Sequence, residues 1–423
     1  MYCLLNTPMP KKEGVFRSLF ISSILLIAVG VFGSCNKNQE PLPDNRLEKM
    51  QAKADSVRAA LEARTGISCR GMHFYVQSPR GAYFISSAGK AAEKISSGHW
   101  LRFASVTKVF TSAAVLNMAE DGWVNIDAPI TASIPGSTTP YVPATPAWNI
   151  PYKSQITLRQ LMSHTAGVFD ADNDIVPSLG NSYTDYMLNI NPDHLFSTDQ
   201  YTQAIVNNNL SYFAPGTGYH YSNTGYSMLA TIIGRVYSVR ASSSKTFSNY
   251  ITDVLLAAVP GTANGIRFPE LPTDNRIPTP GCNGFIYNGM ADTSTIAVYN
   301  PSITIGEGNG QGTMKAVHDW IRTTYKGKGA LNATSIQLLN TPLVPDYSNT
   351  KYTYGSQEFL DFGRGHTGAR AGNLTLISYD ASNDTSVFGY IPFWDVTGGA
   401  ITIQQNGLIP LFESASLLTE LAQ

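Results

Sequence analysis

The sequence predicts a mixed α/β fold of the α+β type, because its rhythm changes in a definite order. Two strand-like runs come early, at residues 72–77 and 82–87, around the hairpin signal Ser78-Pro79-Arg80-Gly81. Helical patterns fill the middle of the chain. Strand-like alternation returns from Asn373 onward, before a closing helix over residues 408–421. Strands at both ends around a helical centre are the signature of sheet and helices packed around shared cores.

Each element has a local reason. Over residues 46–63 charged and apolar residues recur at helical spacing, and Gly66 supplies the stop. Between Phe103 and Ala119 lie seventeen residues whose one charge is Lys108, with Val106, Val109, Phe110, Ala113 and Leu116 at the apolar positions of a buried helix. Asp121 and Gly122 end it, and residues 123–130 lead into a Pro-, Ser- and Thr-rich loop over 131–151. A short helix over 157–162 runs into Ser163-His164-Thr165-Ala166-Gly167. The Asn- and Asp-rich stretch 169–215 has weak periodicity and reads as irregular with short helices. A clear helix begins near Gly225, with Tyr226, Leu229, Ile232, Ile233 and Val236 on one face, and Gly- and Pro-rich loops occupy 260–312. No internal repeat suggests a solenoid.

Composition narrows the class. At 423 residues and 43% hydrophobic, the chain holds one large domain or two ordinary ones. Charged residues are 14%, the net charge is −1, and no basic stripe stands out, which excludes nucleic acid as a partner. At the N-terminus Lys11, Lys12 and Arg17 precede an apolar run from Leu19 to Phe32 that ends at Gly33-Ser34-Cys35. Residues 1–34 therefore read as a secretory signal peptide. Small residues before a cysteine resemble the lipobox of bacterial lipoproteins, which implies lipidation of Cys35 and a membrane-anchored cell-envelope protein facing the periplasm or exterior. The apolar run is shorter than the roughly 20 residues a spanning helix needs. The polar stretch from Asn36 to Asn45 is a tether, which the domain division extends over 35–51, with the main domain over 52–423. Cys69 and Cys282 either pair or stand as two buried thiols, and neither is assigned chemistry.

Three motifs carry the chemistry. Ser105 and Lys108 are three apart, so a helix brings hydroxyl and amine to one face. Lysine is rarely buried without a task, and desolvation lowers its pKa, making Lys108 a base for Ser105 and the chain a candidate serine hydrolase. Ser-x-x-Lys occurs five times, at Ser34, Ser87, Ser105, Ser242 and Ser348, but only Ser105 opens a buried helix. Downstream, Pro215-Gly216 signals a turn that places Tyr221 and Asn223 at a loop end before the helix near Gly225. A phenol there relays a proton. Asn223 accepts from a lysine and donates to a substrate carbonyl. Tyr-Ser-Asn-Thr recurs at Tyr347, where the turn and the helix are both missing. Last comes Gly363-Arg364-Gly365-His366-Thr367-Gly368-Ala369-Arg370, an edge strand that a substrate backbone can approach. Its Ala369 amide would pair with that of Ser105 around an oxyanion. Positions 364, 366, 368 and 370 share a strand face, so Arg364 or Arg370 joins His366 towards a substrate carboxylate. No histidine pair or acidic cluster has zinc spacing, and neither metal nor cofactor is called for.

Ser105-Val-Thr-Lys108, Tyr221-Ser-Asn223 and His366-Thr-Gly368, in that order, resemble the three motifs of the serine β-lactamase and penicillin-binding protein superfamily. The nearest branch is the class C-like one, with its D-alanyl-D-alanine carboxypeptidases, D-amino-acid-acting peptidases and carboxylesterases. Gly122-Trp-Val-Asn-Ile-Asp127, Ile156-Thr-Leu-Arg-Gln-Leu-Met-Ser-His-Thr-Ala-Gly167 and the segment from Pro215 to Gly225 support the resemblance, which runs from about Ala52 to the C-terminus. It implies an antiparallel sheet flanked by helices, with a helical subdomain over about 99–275 set between sheet-forming segments 66–98 and 276–423. It also implies acyl transfer: Ser105 attacks a carbonyl and Lys108 and Tyr221 manage its proton. Asn223, His366, Thr367, Gly368, Ala369 and Arg370 bind substrate or oxyanion, and water releases the acyl-enzyme. The implied substrates are small peptides, esters or β-lactams, with peptidoglycan stems suiting the envelope address. His366 departs from the lysine of class C β-lactamases. Histidine supplies less positive charge at neutral pH, which favours a peptidase or esterase over a β-lactamase. A non-catalytic peptidoglycan-binding relative is the alternative from another class.

Overall fold

The computed structural model describes residues 44–88, 95–290, 294–341, 351–359 and 361–423. The expected signal peptide, Cys35, most of the tether and the second Tyr-Ser-Asn-Thr lie outside the described residues. Among the described residues the five longest helices are α1 (Arg46–Thr65), α2 (Thr107–Glu120), α3 (Asn223–Ala241), α4 (Met314–Tyr325) and α5 (Ile409–Ala422). The main sheet contains β1 (Met72–Ser78), β2 (Gly81–Ser87), β3 (Gln357–Phe359), β4 (Gly363–Arg370), β5 (Asn373–Asp380) and β6 (Thr385–Ile391). They lie in the order β2-β1-β6-β5-β4-β3, each pair antiparallel. Both ends of the chain thus build one sheet, as the rhythm predicts.

Alternation along these strands gives the sheet two buried faces. Phe74, Val76, Leu374, Leu376 and Val387 meet Met50, Ala54, Val57 and Leu61 of α1 and Leu411, Ala415 and Leu418 of α5. Tyr75, Ile377 and Phe388 turn the other way, into a larger core with α2, α3 and α4. There Phe110 of α2 stacks on Trp320 of α4 at 3.9 Å between ring centroids. Full burial of each such side chain stabilises by roughly 1.5–3 kcal/mol, so this face anchors α2 firmly under the sheet.

Several boundaries are corrected. α1 ends where expected, with Gly66 left-handed at φ 69° and its N–H on the Glu62 carbonyl. It begins at Arg46, as expected, and Met50 is fully buried, so residues 46–51, within the expected tether 35–51, belong to the fold. α3 starts at Asn223, two residues before Gly225, because the Ser222 hydroxyl caps the Gly225 N–H. The 260–312 region is not all loop. Ile266–Arg267 and Trp100–Arg102 flank Gln311–Thr313 in a small sheet, and Gly284–Tyr287 pairs with Ser294–Ile296. Residues 276–423 also contain α4, which the sequence reading did not single out. The 169–215 stretch carries the short helices Tyr183–Ile190 and Thr198–Asn208. Cys69 and Cys282 are both buried and form no disulfide. Among the described residues no helix is long and apolar enough to cross a membrane.

Candidate active site

Ser105 sits in a 3-10 turn, Ala104–Val106, that feeds directly into α2. Ala104 adopts φ 48°, a left-handed conformation that costs a non-glycine residue about 1–2 kcal/mol. Strain of this kind is concentrated at functional turns. One turn on, Lys108 is completely buried, and its Nζ lies 3.1 Å from Ser105 Oγ. It also lies 2.8 Å from Asn223 Oδ1, 2.9 Å from the Glu307 carbonyl and 3.2 Å from Glu307 Oε2. Burial lowers the Lys108 pKa, and the Glu307 carboxylate opposes that shift by charge and hydrogen bond.

Tyr221 arrives from the segment before α3. Its buried phenol is held well above the ordinary tyrosine range by desolvation, against which a hydrogen bond with Ser105 acts. The Lys108 ammonium lies 4.8 Å from the centroid of its ring. His164 packs against the same ring, tilted by 35° at 4.2 Å between centroids, and its Nδ1 accepts the Ser222 N–H at 3.1 Å. That bond places the imidazole proton on Nε2 and fastens the Tyr-Ser-Asn segment to the loop after the short helix Leu158–Met162. Burial, chiefly, keeps His164 neutral, with Lys108 and His366 acting the same way.

The side chain of Asn223 departs in part from its expected role. Its oxygen accepts from Lys108, as anticipated, but its Nδ2 donates to Asp172 Oδ2 at 2.8 Å, inwards and away from any substrate carbonyl. Asp172 in turn takes both guanidinium nitrogens of Arg370 at 3.0 Å each and the Thr184 hydroxyl at 2.6 Å, while Arg370 Nε donates to the Tyr299 hydroxyl. Desolvation raises the Asp172 pKa, but the Arg370 charge and these bonds outweigh it and hold the group below its ordinary value. Arg370 is therefore committed to a buried ion pair, a correction to its expected contact with a substrate carboxylate. Arg364 is likewise taken by Glu358 across the β3–β4 pair.

His366 is fully buried on β4. Its Nδ1 donates to the Thr367 carbonyl, so Nε2 accepts the Tyr352 hydroxyl at 3.0 Å. Desolvation, with the Lys108 charge beside it, pushes its pKa down to about 3. His366 is neutral, in the direction expected of histidine at this position, but it is internally satisfied, which corrects its expected place facing a substrate carboxylate. Beside it, β4 runs against the nucleophile turn. A Cβ added to Gly368 would stand 2.4 Å from the Phe103 carbonyl oxygen, which also accepts the Thr375 hydroxyl at 2.9 Å. Only glycine at 368 admits this approach. Thr367 is buried, Ala369 packs partly into the core, and β3 covers only residues 363–365, leaving 366–370 as the sheet edge that the glycines predict.

Ser105, Lys108, Tyr221, Asn223 and β4 are thus brought together. Asp172, Glu307, His164 and Tyr352 went unassigned in the sequence. Glu307 had the clearest signal, a single acid inside Gly306-Glu307-Gly308-Asn309-Gly310 in a chain poor in charge.

One buried histidine outside the site yields a test of pH dependence. Burial holds His73 at about 3, against an ordinary 6.5. Between those values the unfolded chain binds a proton that the folded chain does not, so this contribution to stability is full above pH 6.5 and is lost as the pH falls. His73→Gln, which retains a partner for the Ser86 hydroxyl now bonded at 2.9 Å, removes it. Thermal melts at pH 7 and pH 5 should show the variant gaining on the wild type as the pH is lowered; a constant difference would refute the assignment.

Comparison with known proteins places this geometry. The family model for Beta-lactamase matches residues 58–388. The chain belongs to that family, and its fold is that of a β-lactamase-related serine hydrolase. Among curated relatives it is 27% identical over 155 residues to protein flp of Staphylococcus aureus, covering 36% of this chain and 24% of that protein. It is 27% identical over 157 residues to penicillin-binding protein 4* of Bacillus subtilis, covering 37% and 28%. The match thus spans about a quarter of those relatives' lengths. Among solved structures, a D-stereospecific amidohydrolase from Streptomyces superimposes with TM-score 0.65 at 18% identity, over 83% of this chain and 97% of that one. D-amino acid amidase from Ochrobactrum anthropi does so with TM-score 0.67 at 16% identity, over 88% and 98%. At such identities the likeness establishes the shared fold.

Proposed function

We propose that the protein is an acyl-serine hydrolase of the cell envelope, anchored through Cys35, that cleaves D-amino-acid peptide bonds of peptidoglycan stems or related amide and ester bonds. The observation that carries this reading is the completely buried Lys108 amine, 3.1 Å from the Ser105 hydroxyl and held by Asn223. Ser105 Oγ bonds to the substrate carbonyl carbon and its proton passes to Lys108 Nζ. The amides of Ser105 and Ala369 receive the oxyanion. As the bond from the carbonyl carbon to the leaving group breaks, the Tyr221 phenol gives its proton to that group and is restored by the serine proton on Lys108 Nζ. Water then attacks the ester, its proton passes to Lys108 Nζ, and Lys108 returns it to Ser105 Oγ as the acid product leaves.

The neutral His366 and the Arg370–Asp172 pair leave neither group to grip a substrate carboxylate, which favours ester, amide and internal D-amino-acid peptide bonds over β-lactams and over peptides held by a terminal carboxylate. The D-amino-acid enzymes among the structural neighbours support the same substrate class. The test uses purified protein lacking residues 1–35. A diacetylated Lys-D-Ala-D-Ala tripeptide, p-nitrophenyl butyrate and nitrocefin are supplied in parallel, with fluorophosphonate labelling of wild type and Ser105→Ala. Labelling should vanish in Ser105→Ala, and the ester should turn over faster than nitrocefin. Fast nitrocefin turnover would refute the substrate preference. Ligand binding without labelling or turnover would instead make the protein a binding relative.

A further inference from the structure

The Glu307 backbone carbonyl bonds Lys108 Nζ, a contact that any residue at 307 could make. The carboxylate is additional. Its Oε2 stands 3.2 Å from the same nitrogen and the side chain is 2% exposed. Oε1, also buried, has no hydrogen-bond partner among the described residues. A buried carboxylate with one oxygen on an amine and the other on nothing is poorly solvated as an anion. Lys108 has a matching excess. Four oxygens surround a nitrogen with at most three N–H groups, and in the neutral amine two N–H bonds, to Asn223 Oδ1 and the Glu307 carbonyl, leave one lone pair for the Ser105 hydroxyl.

Resting on the serine-hydrolase reading above, we propose that Glu307 shares one proton with Lys108 and thereby sets the pH at which the amine can accept the Ser105 proton. With the proton on Nζ the two groups form an ion pair. Once Nζ has given it up, the lone pair faces Ser105; when Oγ bonds to the substrate carbon, the serine proton moves to Nζ and the ammonium re-forms. Glu307 acts through Lys108 and is a positioning residue.

Every neighbouring charge bears on the pair. Burial pushes the Glu307 carboxyl up to about 7; Asp172 and Asp170 act with it, and Lys108 and Arg370 against it. Tyr201, Tyr221 and Tyr299 also face Glu307, and all three phenols are pushed up by burial. His164 and His366, which feel the Lys108 charge, are held neutral. The ammonium's supporting anion is thus Glu307, with Asp170 and Asp172 contributing less.

The experiment compares wild type with Glu307→Gln, and with Glu307→Met as a second neutral variant should the amide not fold. Lys108 ionisation is read by NMR of protein carrying 13Cε-lysine, assigned with Lys108→Met. The pH profile of fluorophosphonate labelling is read alongside. Loss of the carboxylate lets the amine lose its proton at lower pH, so both midpoints should fall by about one unit or more. At one unit below its own midpoint the wild type labels at about a tenth of its plateau rate, whereas the variant holds about half of its plateau or more. Glu307→Asp, which keeps the charge, should return the midpoint towards wild type. An unchanged Lys108 midpoint in a folded neutral variant overturns the inference whatever labelling does. A midpoint that moves in a chain that never labels leaves the shared proton standing and overturns the hydrolase reading instead.

Discussion

Lys108→Met is expected to slow acylation of Ser105 by about 10²- to 10⁴-fold, the usual range for removal of a positioned general base. The variant keeps the length of the side chain and discards the amine, so Ser105 loses the acceptor now 3.1 Å away. The fold should survive. Lys108 is the larger of the two charges that lower the Glu307 pKa, and without it burial favours the neutral acid over a stranded anion. Tyr221 does not substitute as base, because desolvation holds its phenol protonated well above the ordinary range. Fluorophosphonate labelling of wild type and variant at pH 7, with circular dichroism to check folding, measures the effect. Near-wild-type labelling would remove Lys108 from proton transfer altogether.

The largest loss of stability is expected from Asp172→Ala. It leaves the Arg370 guanidinium, 14% exposed, with the Tyr299 hydroxyl as its hydrogen-bond partner, and it takes from Asn223 the acceptor that orients its amide. Removing one member of a buried ion pair costs about 3–5 kcal/mol, because the other charge stays buried. Replacing both members by apolar groups is often nearly neutral. The double variant Asp172→Ala/Arg370→Met should therefore recover much of the loss. Denaturant midpoints for the single and double variants form the cycle. A single-variant loss under about 1 kcal/mol, or a double variant no better than the single, would show that the pair carries little of the fold.

The legible parts of the site are those encoded locally. Ser105 and Lys108 are three residues apart, so helical geometry alone brings them together. Tyr221 and Asn223 are betrayed by the turn before them and the apolar stripe after. The observed start of α3 precedes the predicted one because its cap is Ser222, while Gly225, a poor helix former, sits in the first turn. Lys108–Glu307 spans 199 residues and Asp172–Arg370 spans 198, and no periodicity records such pairings. The two- to four-residue strands within 260–312 are too short for an alternating pattern. Strand period assigns Arg370 and His366 to one face and so predicts that a substrate meets them, yet it does not reveal that Asp172 and Tyr352 already occupy that face.

The central sheet has a consequence for how the chain comes to function. β1 lies between β2 and β6, and β4 presses on the turn that holds Ser105, although the two are more than 250 positions apart in sequence. The Ser78 hydroxyl and the Arg80 guanidinium, at the tip of the first hairpin, bond the carbonyls of Ala422 and Gln423. A ribosome releasing the polypeptide from its N-terminus exposes the nucleophile long before the strand that completes its surroundings exists. Such non-local closure makes assembly slow and late. The surroundings of Ser105 therefore cannot form until β4 and β5 have been made and paired.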